Sequence, residues 1–231
     1  MPHLTIATYN IQHGKGMDGK TDLERIAQVL SGIDADIIFL QEIDMLRPQS
    51  HMSRQVSRLC SELVMKGIYG PVRTYPLGSY GNAILSRYQI SEKCNHILPD
   101  PSDQRCCLQA ELRIKRDTVQ LFTTHLGLRQ QVRCQHIKDC ILPMVNSCPG
   151  PVILGGDFNA NPDRPEIGLV LQSLSDTFTA NTGPLVNTYP ATVPAARIDY
   201  IFINELCKVE DYYIVDSTAS DHLPVVTEIE I

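Results

Sequence analysis

The sequence predicts an α/β (α+β) fold, a sandwich of two mixed, mostly antiparallel sheets packed face to face with helices outside. Apolar segments of strand length dominate the 231-residue chain, many follow one another directly, and only a few segments with helical periodicity interrupt them. The absence of a strict β-α-β alternation favours antiparallel or mixed sheets over a parallel sheet. With 43% hydrophobic residues and no repeat or linker, we expect one domain over residues 1–231.

The first half of the chain predicts two helices among several strands. Thr21-Asp22-Leu23-Glu24 is typical of a capping box, with Thr21 as the N-cap, and the apolar residues that follow recur at helical spacing up to Gly32. A second helix is expected over residues 53–66, where Gly67 stops it. Strands are expected at residues 4–10, 37–40 and 83–85.

The second half repeats this pattern. A third helix is expected over residues 129–145, where Pro143 can end it early, and a short helix within 162–174. Strands are expected at residues 108–112, 119–123, 151–155, 198–203 and 223–229.

Composition limits the classes of partner and compartment. The formal net charge is −6, so the protein is expected to be a poor non-specific binder of nucleic acid. Eight cysteines lie without a C-x-x-C pair, and neither a signal-peptide pattern nor a transmembrane segment is evident. We therefore expect reduced thiols and a cytoplasmic location. The oligomeric state is not predicted.

Polar residues capable of chemistry stand at the ends of the predicted strands. The most informative stretch is Gly156-Asp157-Phe158-Asn159, which follows an apolar strand and would direct Asp157 and Asn159 to the same side if the chain stays extended. Taken singly, each such residue has an ordinary explanation as a turn, surface or core residue. The full set comprises Asn10, Gln41, Glu42, His125, Asp157, Asn159, Asp199, Asp221 and His222.

Together these side chains indicate metal-assisted attack of water on a phosphate ester. Glu42 and Asp221 offer the hard oxygen ligands that Mg²⁺ prefers. Either His125 or His222 can stabilise charge on the phosphoryl group, and Asp199 can keep an imidazole protonated.

The ordered motifs resemble those of the endonuclease/exonuclease/phosphatase superfamily, whose members are Mg²⁺-dependent phosphoesterases with a four-layer α/β sandwich. The motifs span almost the whole chain and are Thr8-Tyr9-Asn10-Ile11, Leu40-Gln41-Glu42, Gly81-Asn82-Ala83-Ile84-Leu85-Ser86, Thr124-His125-Leu126, Gly156-Asp157-Phe158-Asn159, Arg197-Ile198-Asp199-Tyr200-Ile201 and Ser220-Asp221-His222-Leu223-Pro224. The resemblance implies that Glu42 is the principal ligand of Mg²⁺, with Mn²⁺ as a substitute, and that Asn10 and Asp221 lie beside it.

The resemblance also implies catalytic roles. Asp157 would position or deprotonate the attacking water, and Asn159 would hold a phosphate oxygen. His222, paired with Asp199, would contact the scissile phosphate, and His125 would bind phosphate from the other side. Which group is the general base stays open, as do the number of metal ions and the choice between monoester and diester.

The motifs also separate branches of the superfamily. Gln41-Glu42-Ile43-Asp44 differs from the corresponding motif of apurinic endonucleases, whereas Thr124-His125-Leu126-Gly127-Leu128 is similar to sphingomyelinase-like and pancreatic-deoxyribonuclease-like members and to bacterial metal-dependent hydrolases. We therefore expect a phosphodiesterase or phosphatase acting on a small organophosphate, a phospholipid head group or an inositol phosphate. The alternatives are a nuclease and, less favoured, a non-catalytic binding module.

Four further residues are candidates for substrate binding. Arg47 and Arg105 can grip a phosphate or carboxylate through two parallel hydrogen bonds. Tyr80 and Asn82 flank Gly81 at the start of a strand and are expected to line the pocket. Tyr189 is a weaker candidate for the pocket wall.

Overall fold

The computed structural model describes residues 2–100, 103–115, 117–180 and 186–231. Its strands are β1 His3–Asn10, β2 Ile37–Met45, β3 Lys66–Thr74, β4 Ser79–Ser86, β5 Ile90–Leu98, β6 Arg105–Ile114, β7 Asp117–His125, β8 Val152–Asp157, β9 Ser175–Asp176, β10 Asp199–Ile203, β11 Lys208–Ile214 and β12 Val225–Glu230. Its α-helices are α1 Leu23–Ile33, α2 Gln55–Glu62, α3 Gln130–Gln135, α4 Leu142–Asn146 and α5 Pro165–Val170. A π-helical turn, His136–Ile141, joins α3 to α4, and 3₁₀ turns occupy Gln12–Gly14, Pro48–Ser50 and Thr177–Ala180.

The described strands form two six-stranded sheets. The first has the order β11-β12-β1-β2-β4-β3, and the second has the order β5-β6-β7-β8-β10-β9. Each sheet has one parallel pair near its centre, β1 with β2 and β7 with β8, and the other neighbours are antiparallel. The prediction of two mixed, mostly antiparallel sheets is confirmed.

Apolar contacts on both faces of each sheet produce the four layers. Between the sheets, Phe39 and Ile6 of the first pack with Leu108 and Ile153 of the second. On the outer face of the first sheet, α1 and α2 bury their apolar sides against β1 and β2. On the outer face of the second sheet, the segment from α3 to α4 and α5 cover β7, β8 and β10. Two sheets inside and helices outside are therefore held by three separate apolar interfaces.

The two sheets approach each other closely at β8, and glycine permits it. A Cβ atom on Gly155 would lie 2.4 Å from Cδ2 of Phe39 in the facing sheet. At Gly156 the backbone has φ +146°, and a Cβ atom would lie 2.0 Å from the backbone oxygen of Thr124. Side chains are excluded from both positions immediately before Asp157, which fixes where that carboxylate emerges.

The first helix differs from its prediction at both ends. Asp22, not Thr21, is the N-cap, and its carboxylate accepts a hydrogen bond from the Glu24 backbone N–H at 3.0 Å. The helix continues through Gly32 and ends at Asp34, whose φ of 58° is left-handed, a conformation that a short polar side chain tolerates. Local capping chemistry therefore moved both ends by one or two residues.

The second predicted helix was wrong in extent, whereas the third, over residues 129–145, is confirmed by continuous helical structure from Gln130 to Asn146. The second helix, α2, is shorter than expected, and the residues from Lys66 onward form strand β3 instead of the helix end. Pro143 does not shorten the third helical segment, which continues through it to Asn146. The π-helical turn before it absorbs the change of register.

Two features of the structure bear on the predicted location, the length of the helices and the state of the cysteines. None of the described helices is long and apolar enough to cross a membrane. All eight cysteines are free thiols. The cytoplasmic location and the single domain over residues 1–231 stay predictions.

Candidate active site

The candidate site lies where strand ends of the two sheets meet. His125 and Asp157 are the last residues of the parallel neighbours β7 and β8 and stand side by side in register. Asp199, the first residue of β10, pairs with Asp157 from the other side. In the first sheet, Asn10 ends β1 beside Gln41 of β2. The fold thus brings residues that are far apart in the sequence to one edge.

Asp157 is the centre of this cluster. Its Oδ2 accepts a hydrogen bond from Asn10 Nδ2 at 3.1 Å and lies 3.4 Å from His125 Nε2 and 3.8 Å from His222 Nε2. Burial, reinforced by the charge of Asp199 and opposed by His222, raises the pKa of Asp157 to about 7. The carboxylate can therefore exchange a proton near neutral pH.

His222 is held by Asp199. Nδ1 of His222 lies 2.9 Å from Oδ2 of Asp199, and both side chains are buried. Burial alone would lower the pKa of His222, but the charge and hydrogen bond of Asp199, with Asp157 and Asp221, raise it to about 10. The ring of Tyr189 lies against the imidazole, with 4.8 Å between centroids. His222 is therefore a positioned cation with Nε2 directed towards Asp157.

His125 has the opposite character. Burial, followed by the nearby positive charges of Arg105 and His222, lowers its pKa well below the usual value, so the ring is neutral at pH 7. Its Nδ1 lies 3.4 Å from the Tyr80 hydroxyl. Burial and the charge of Glu42 raise the pKa of Tyr80 well above its usual value, so the phenol keeps its proton. One carboxylate thus lies between a neutral and a charged imidazole.

Glu42 and Asp221 lie on the first-sheet side of the site. Glu42 has φ 60° at a shift of register in β2, which re-aims its side chain, and Asn10 Nδ2 donates to its Oε1 at 3.3 Å. Burial raises the pKa of Glu42, and the hydrogen bond from Asn10 opposes this while the charge of Asp221 adds to it. Asp221 Oδ2 accepts a hydrogen bond from Gln12 Nε2 at 2.9 Å.

A tight group of ligand-type atoms lies on the second-sheet side. Among the described residues, one ligand atom each from Asp157, Asp199 and His222 lies within 4.8 Å of the others. This group differs from the set Asn10, Glu42 and Asp221 that the sequence suggested for the metal. The imidazolium of His222 balances one carboxylate of the group, whereas burial and the charge of Asp221 raise the pKa of Glu42 despite the opposing effects of Asn10, His222 and His13.

Asn159 and Asn82 are placed differently from expectation. β8 ends at Asp157 and Asn159 has φ 50°, so the chain is not extended here and the two side chains do not point to the same side by strand alternation. Instead, Asp157 Oδ1 accepts a hydrogen bond from the Asn159 backbone N–H at 2.9 Å. The amide of Asn159 donates to the Leu126 carbonyl at 2.8 Å. Asn82 is buried, with Nδ2 3.5 Å from both the carbonyl and Sγ of Cys106.

A cavity of about 300 Å³ adjoins the cluster. It is lined by Glu42 and Tyr80 of the site and by both predicted arginines, Arg47 and Arg105. Asn82 is not among the residues that line this cavity, and its role in substrate binding stays a prediction. The other residues that line the cavity are His13, Gln49, Val72, Arg73, Tyr75, Asp103 and Gln104.

Ser220 was not selected from the sequence, and Gln41 was selected only as a polar residue at a strand end. Gln41 is fully buried and its Nε2 donates to Thr8 Oγ1 and Thr123 Oγ1, both at 3.1 Å, which ties the two sheets together behind the site. Ser220 Oγ donates to the Asn10 carbonyl at 2.7 Å and so holds the loop that carries Asp221. Their motif positions beside Glu42 and Asp221 were the available signal.

The fold and the site define a class of protein. The chain belongs to the endonuclease/exonuclease/phosphatase family, whose pattern matches residues 7–222. The prediction of this superfamily is confirmed.

Relatives cover nearly the whole chain. The protein called "Uncharacterized protein YbhP" from Escherichia coli (strain K12) is 26% identical over 98% of this chain and 96% of its own. An endonuclease/exonuclease/phosphatase from Bacteroides vulgatus has a similar structure, with a TM-score of 0.84, 18% identity and full coverage of both chains. A mannosyl-6-phosphatase of Bacteroides thetaiotaomicron VPI-5482 matches with a TM-score of 0.79 and 22% identity over 99% of this chain and all of that one. These two likenesses concern the fold.

Proposed function

We propose that the protein hydrolyses phosphate esters by in-line attack of water, with Mg²⁺ as its metal ion and Mn²⁺ as a substitute. The observation that carries this proposal is the buried Asp157 carboxylate between neutral His125 and protonated His222. This arrangement supplies a base and a cation at one point without a serine or cysteine nucleophile. The family includes proteins that act on phosphate esters, which agrees with this chemistry.

The donor set on the first-sheet side fits a hard divalent cation. Burial and the charge of Asp221 raise the pKa of Glu42, and a divalent cation held by both carboxylates would favour the ionised form of Glu42. The amide oxygen of Asn10 accepts one hydrogen bond, from the Gln12 backbone N–H at 3.1 Å, and keeps a second lone pair. Glu42, Asp221 and Asn10 would hold Mg²⁺, which polarises a phosphoryl oxygen and stabilises the leaving oxygen.

The remaining residues handle protons and phosphate charge. Asp157 takes the proton of the attacking water, for which a pKa of about 7 is suitable. His222 donates a hydrogen bond from Nε2 to a phosphoryl oxygen, because Asp199 occupies Nδ1 and keeps the ring charged. His125 binds a second phosphoryl oxygen, and Tyr80 orients its ring from Nδ1. Asn159 supports the base through its backbone N–H, and its amide is directed towards phosphate only if its bond to Leu126 breaks.

A small organophosphate is the substrate that the site favours, with a phospholipid head group or an inositol phosphate as related choices. The cavity beside the site has a volume at the lower end of the range for small-molecule pockets, roughly 300–1,000 Å³. The net charge of −6 does not favour non-specific binding of nucleic acid. A structural neighbour is described as a mannosyl-6-phosphatase, which agrees with a small phosphorylated substrate. We place this activity in the cytoplasm, in keeping with the free thiols.

The test compares the unmodified protein with Asp157→Asn, which removes the base but keeps the size of the side chain. Hydrolysis of p-nitrophenyl phosphate and bis(p-nitrophenyl) phosphate with Mg²⁺ should fall by about 10²–10⁴-fold, while circular dichroism and the melting profile stay those of a folded protein. Asp34→Asn, at the opposite end of β2 from Glu42, is the matched control and should retain full activity. Activity in Asp157→Asn within threefold of the unmodified protein would remove the mechanism, and cleavage of plasmid DNA but of no small ester would favour a nuclease.

A further inference from the structure

The cavity beside the active site carries more positive charge than binding one phosphate requires. Glu42 and Tyr80 form its shared wall with the site, and Tyr80 reaches His125. Beyond them, the charged groups of the lining are three guanidinium groups, from Arg47, Arg73 and Arg105, and one carboxylate, from Asp103. Arg73 and the neighbouring Tyr75 had no assigned role from the sequence.

Arg47 is held in place by an aromatic ring and not by a close ion pair. Its guanidinium lies over the ring of Tyr75, 3.4 Å from the ring centroid. Its Nε is buried and has no hydrogen-bond partner, and its terminal nitrogen makes only a long contact of 3.5 Å with Gln49 Oε1. Asp44 is a buried carboxyl near enough for the charge of Arg47 to oppose the rise in its pKa that burial causes, but among the described residues Arg47 forms no ion pair. A fixed cation with a buried unused donor points to an anionic ligand.

The other two arginines share a single carboxylate. Arg105 donates from Nε at 3.0 Å and from a terminal nitrogen at 2.7 Å to Oδ2 of Asp103. Arg73 approaches the second oxygen of Asp103 at 3.5 Å. The side chain of Arg105 is only 13% exposed, so the pair fixes its orientation at the cavity wall. Asp103 therefore orients two cations but neutralises only one.

We propose that this cavity binds a second phosphate group of the substrate, so that the preferred substrates are bisphosphates with one phosphate at Asp157 and the other at Arg47. Arg47 and Arg73 bind the second phosphate directly, and Arg105 and Tyr75 position the wall. This inference rests on the proposed function for its first phosphate. A guanidinium suits the task because its planar set of donors matches two phosphate oxygens at once.

The experiment measures kcat/KM with Mg²⁺ on two matched pairs, adenosine 5′-monophosphate with adenosine 3′,5′-bisphosphate, and glucose 6-phosphate with glucose 1,6-bisphosphate. In at least one pair the bisphosphate should be preferred by about tenfold or more. Arg47→Gln should lower kcat/KM for that bisphosphate by about 10- to 100-fold, mainly through KM, and should lower it at least about tenfold more for the bisphosphate than for the monophosphate. Arg47→Lys should recover part of the loss, because it keeps the charge but not the two parallel hydrogen bonds.

The matched control is Arg113→Gln. Arg113 is exposed and lies on β6, the same strand as Arg105, eight residues further along and thus about 26 Å away at about 3.3 Å per residue. It should leave both members of each pair unchanged. Equal use of monophosphate and bisphosphate in both pairs, or an equal loss for both members in Arg47→Gln, would overturn the inference.

A binding measurement separates this inference from the proposed function. Calorimetric titration of Asp157→Asn with the same compounds and Mg²⁺ needs no turnover. A bisphosphate should bind at least tenfold more tightly than the monophosphate of its pair, and adding Arg47→Gln should abolish this difference. That result supports the second phosphate site even if the unmodified protein cleaves none of the four compounds. Equal affinity for both members of each pair, or no binding of any of them, contradicts it.

Discussion

The substitution Asp199→Asn isolates the electrostatic control of His222. The two side chains are buried and lie 2.9 Å apart, and Asn keeps the size of Asp while removing its charge. His222 is expected to remain in place, because the amide oxygen of Asn can still accept from Nδ1. The change therefore tests charge more than geometry.

The expected effect follows from the balance of forces on the imidazole. Burial lowers the pKa of His222, and Asp199 is the largest of the influences that raise it to about 10 from a usual 6.5. That rise corresponds to about 5 kcal/mol in favour of the protonated ring, at about 1.4 kcal/mol per pH unit. Without Asp199, burial is opposed only by the weaker effects of Asp157 and Asp221, so the pKa should fall by at least about 2 pH units.

The sign for stability follows from linkage. The pKa of His222 is higher in the folded protein than its unfolded value of 6.5. Its contribution to stability is therefore fully present below pH 6.5 and is lost as the pH rises through about 10. The unmodified metal-free protein should therefore lose stability across this window through His222, and Asp199→Asn should lose much less.

Two measurements check this prediction in metal-free protein with EDTA present. Nitrogen-15 NMR follows the ring nitrogens of each histidine against pH, with His222→Gln to assign the signal, and urea unfolding gives the stability at each pH. Asp34→Asn, an exposed carboxylate at the other end of the sheet, should leave the titration of His222 unchanged. A His222 ring that is neutral at pH 8 in the unmodified protein, or that titrates identically in Asp199→Asn, would refute the reasoning.

Two further predictions concern the metal ion and the backbone. Glu42→Gln should require at least about tenfold more Mg²⁺ to reach the same rise in melting temperature, since one charged ligand is lost. An unchanged Mg²⁺ titration would show that Glu42 is not a ligand. Gly156→Ala should destabilise the protein by about 2 kcal/mol or more in urea unfolding. Gly156 has φ +146°, and a Cβ atom there would lie 2.0 Å from the Thr124 backbone oxygen. The exposed Gly168→Ala, with open space around its Cβ position, is the control and should not lower the free energy of unfolding.

Sequence periodicity predicted the interior strands of both sheets and missed the edge strands. The missed strands β3, β5, β9 and β11 are the outermost strands in the described sheets. The interior strands contain runs of buried apolar residues, but β5 and β11 are largely polar with several exposed residues, and β3 carries Gly67, Gly70 and Pro71. Proline is tolerated in β3 because an edge strand need not donate on its outer side.

The site could be predicted in part for a related physical reason. His125, Asp157 and Asn10 close interior strands, so the apolar run before each one located it. Arg73 lies on the missed edge strand β3 and Tyr75 follows it, so their place in the cavity depended on a strand that periodicity did not show.

The two sheets share a plan that explains why the chemistry depends on both. Each has its parallel pair near the centre, and the carboxyl ends of these pairs deliver Asn10 from one sheet and Asp157 from the other. The hydrogen bond of 3.1 Å between those residues crosses the sandwich, and Gln41 bridges to Thr123 behind it. The spacing of the sheets, set by Phe39 against Gly155, therefore fixes the distance between the proposed metal ligands and the base. The proposed catalytic geometry is thus a property of the packing between the sheets, and neither sheet alone would position both halves of the site.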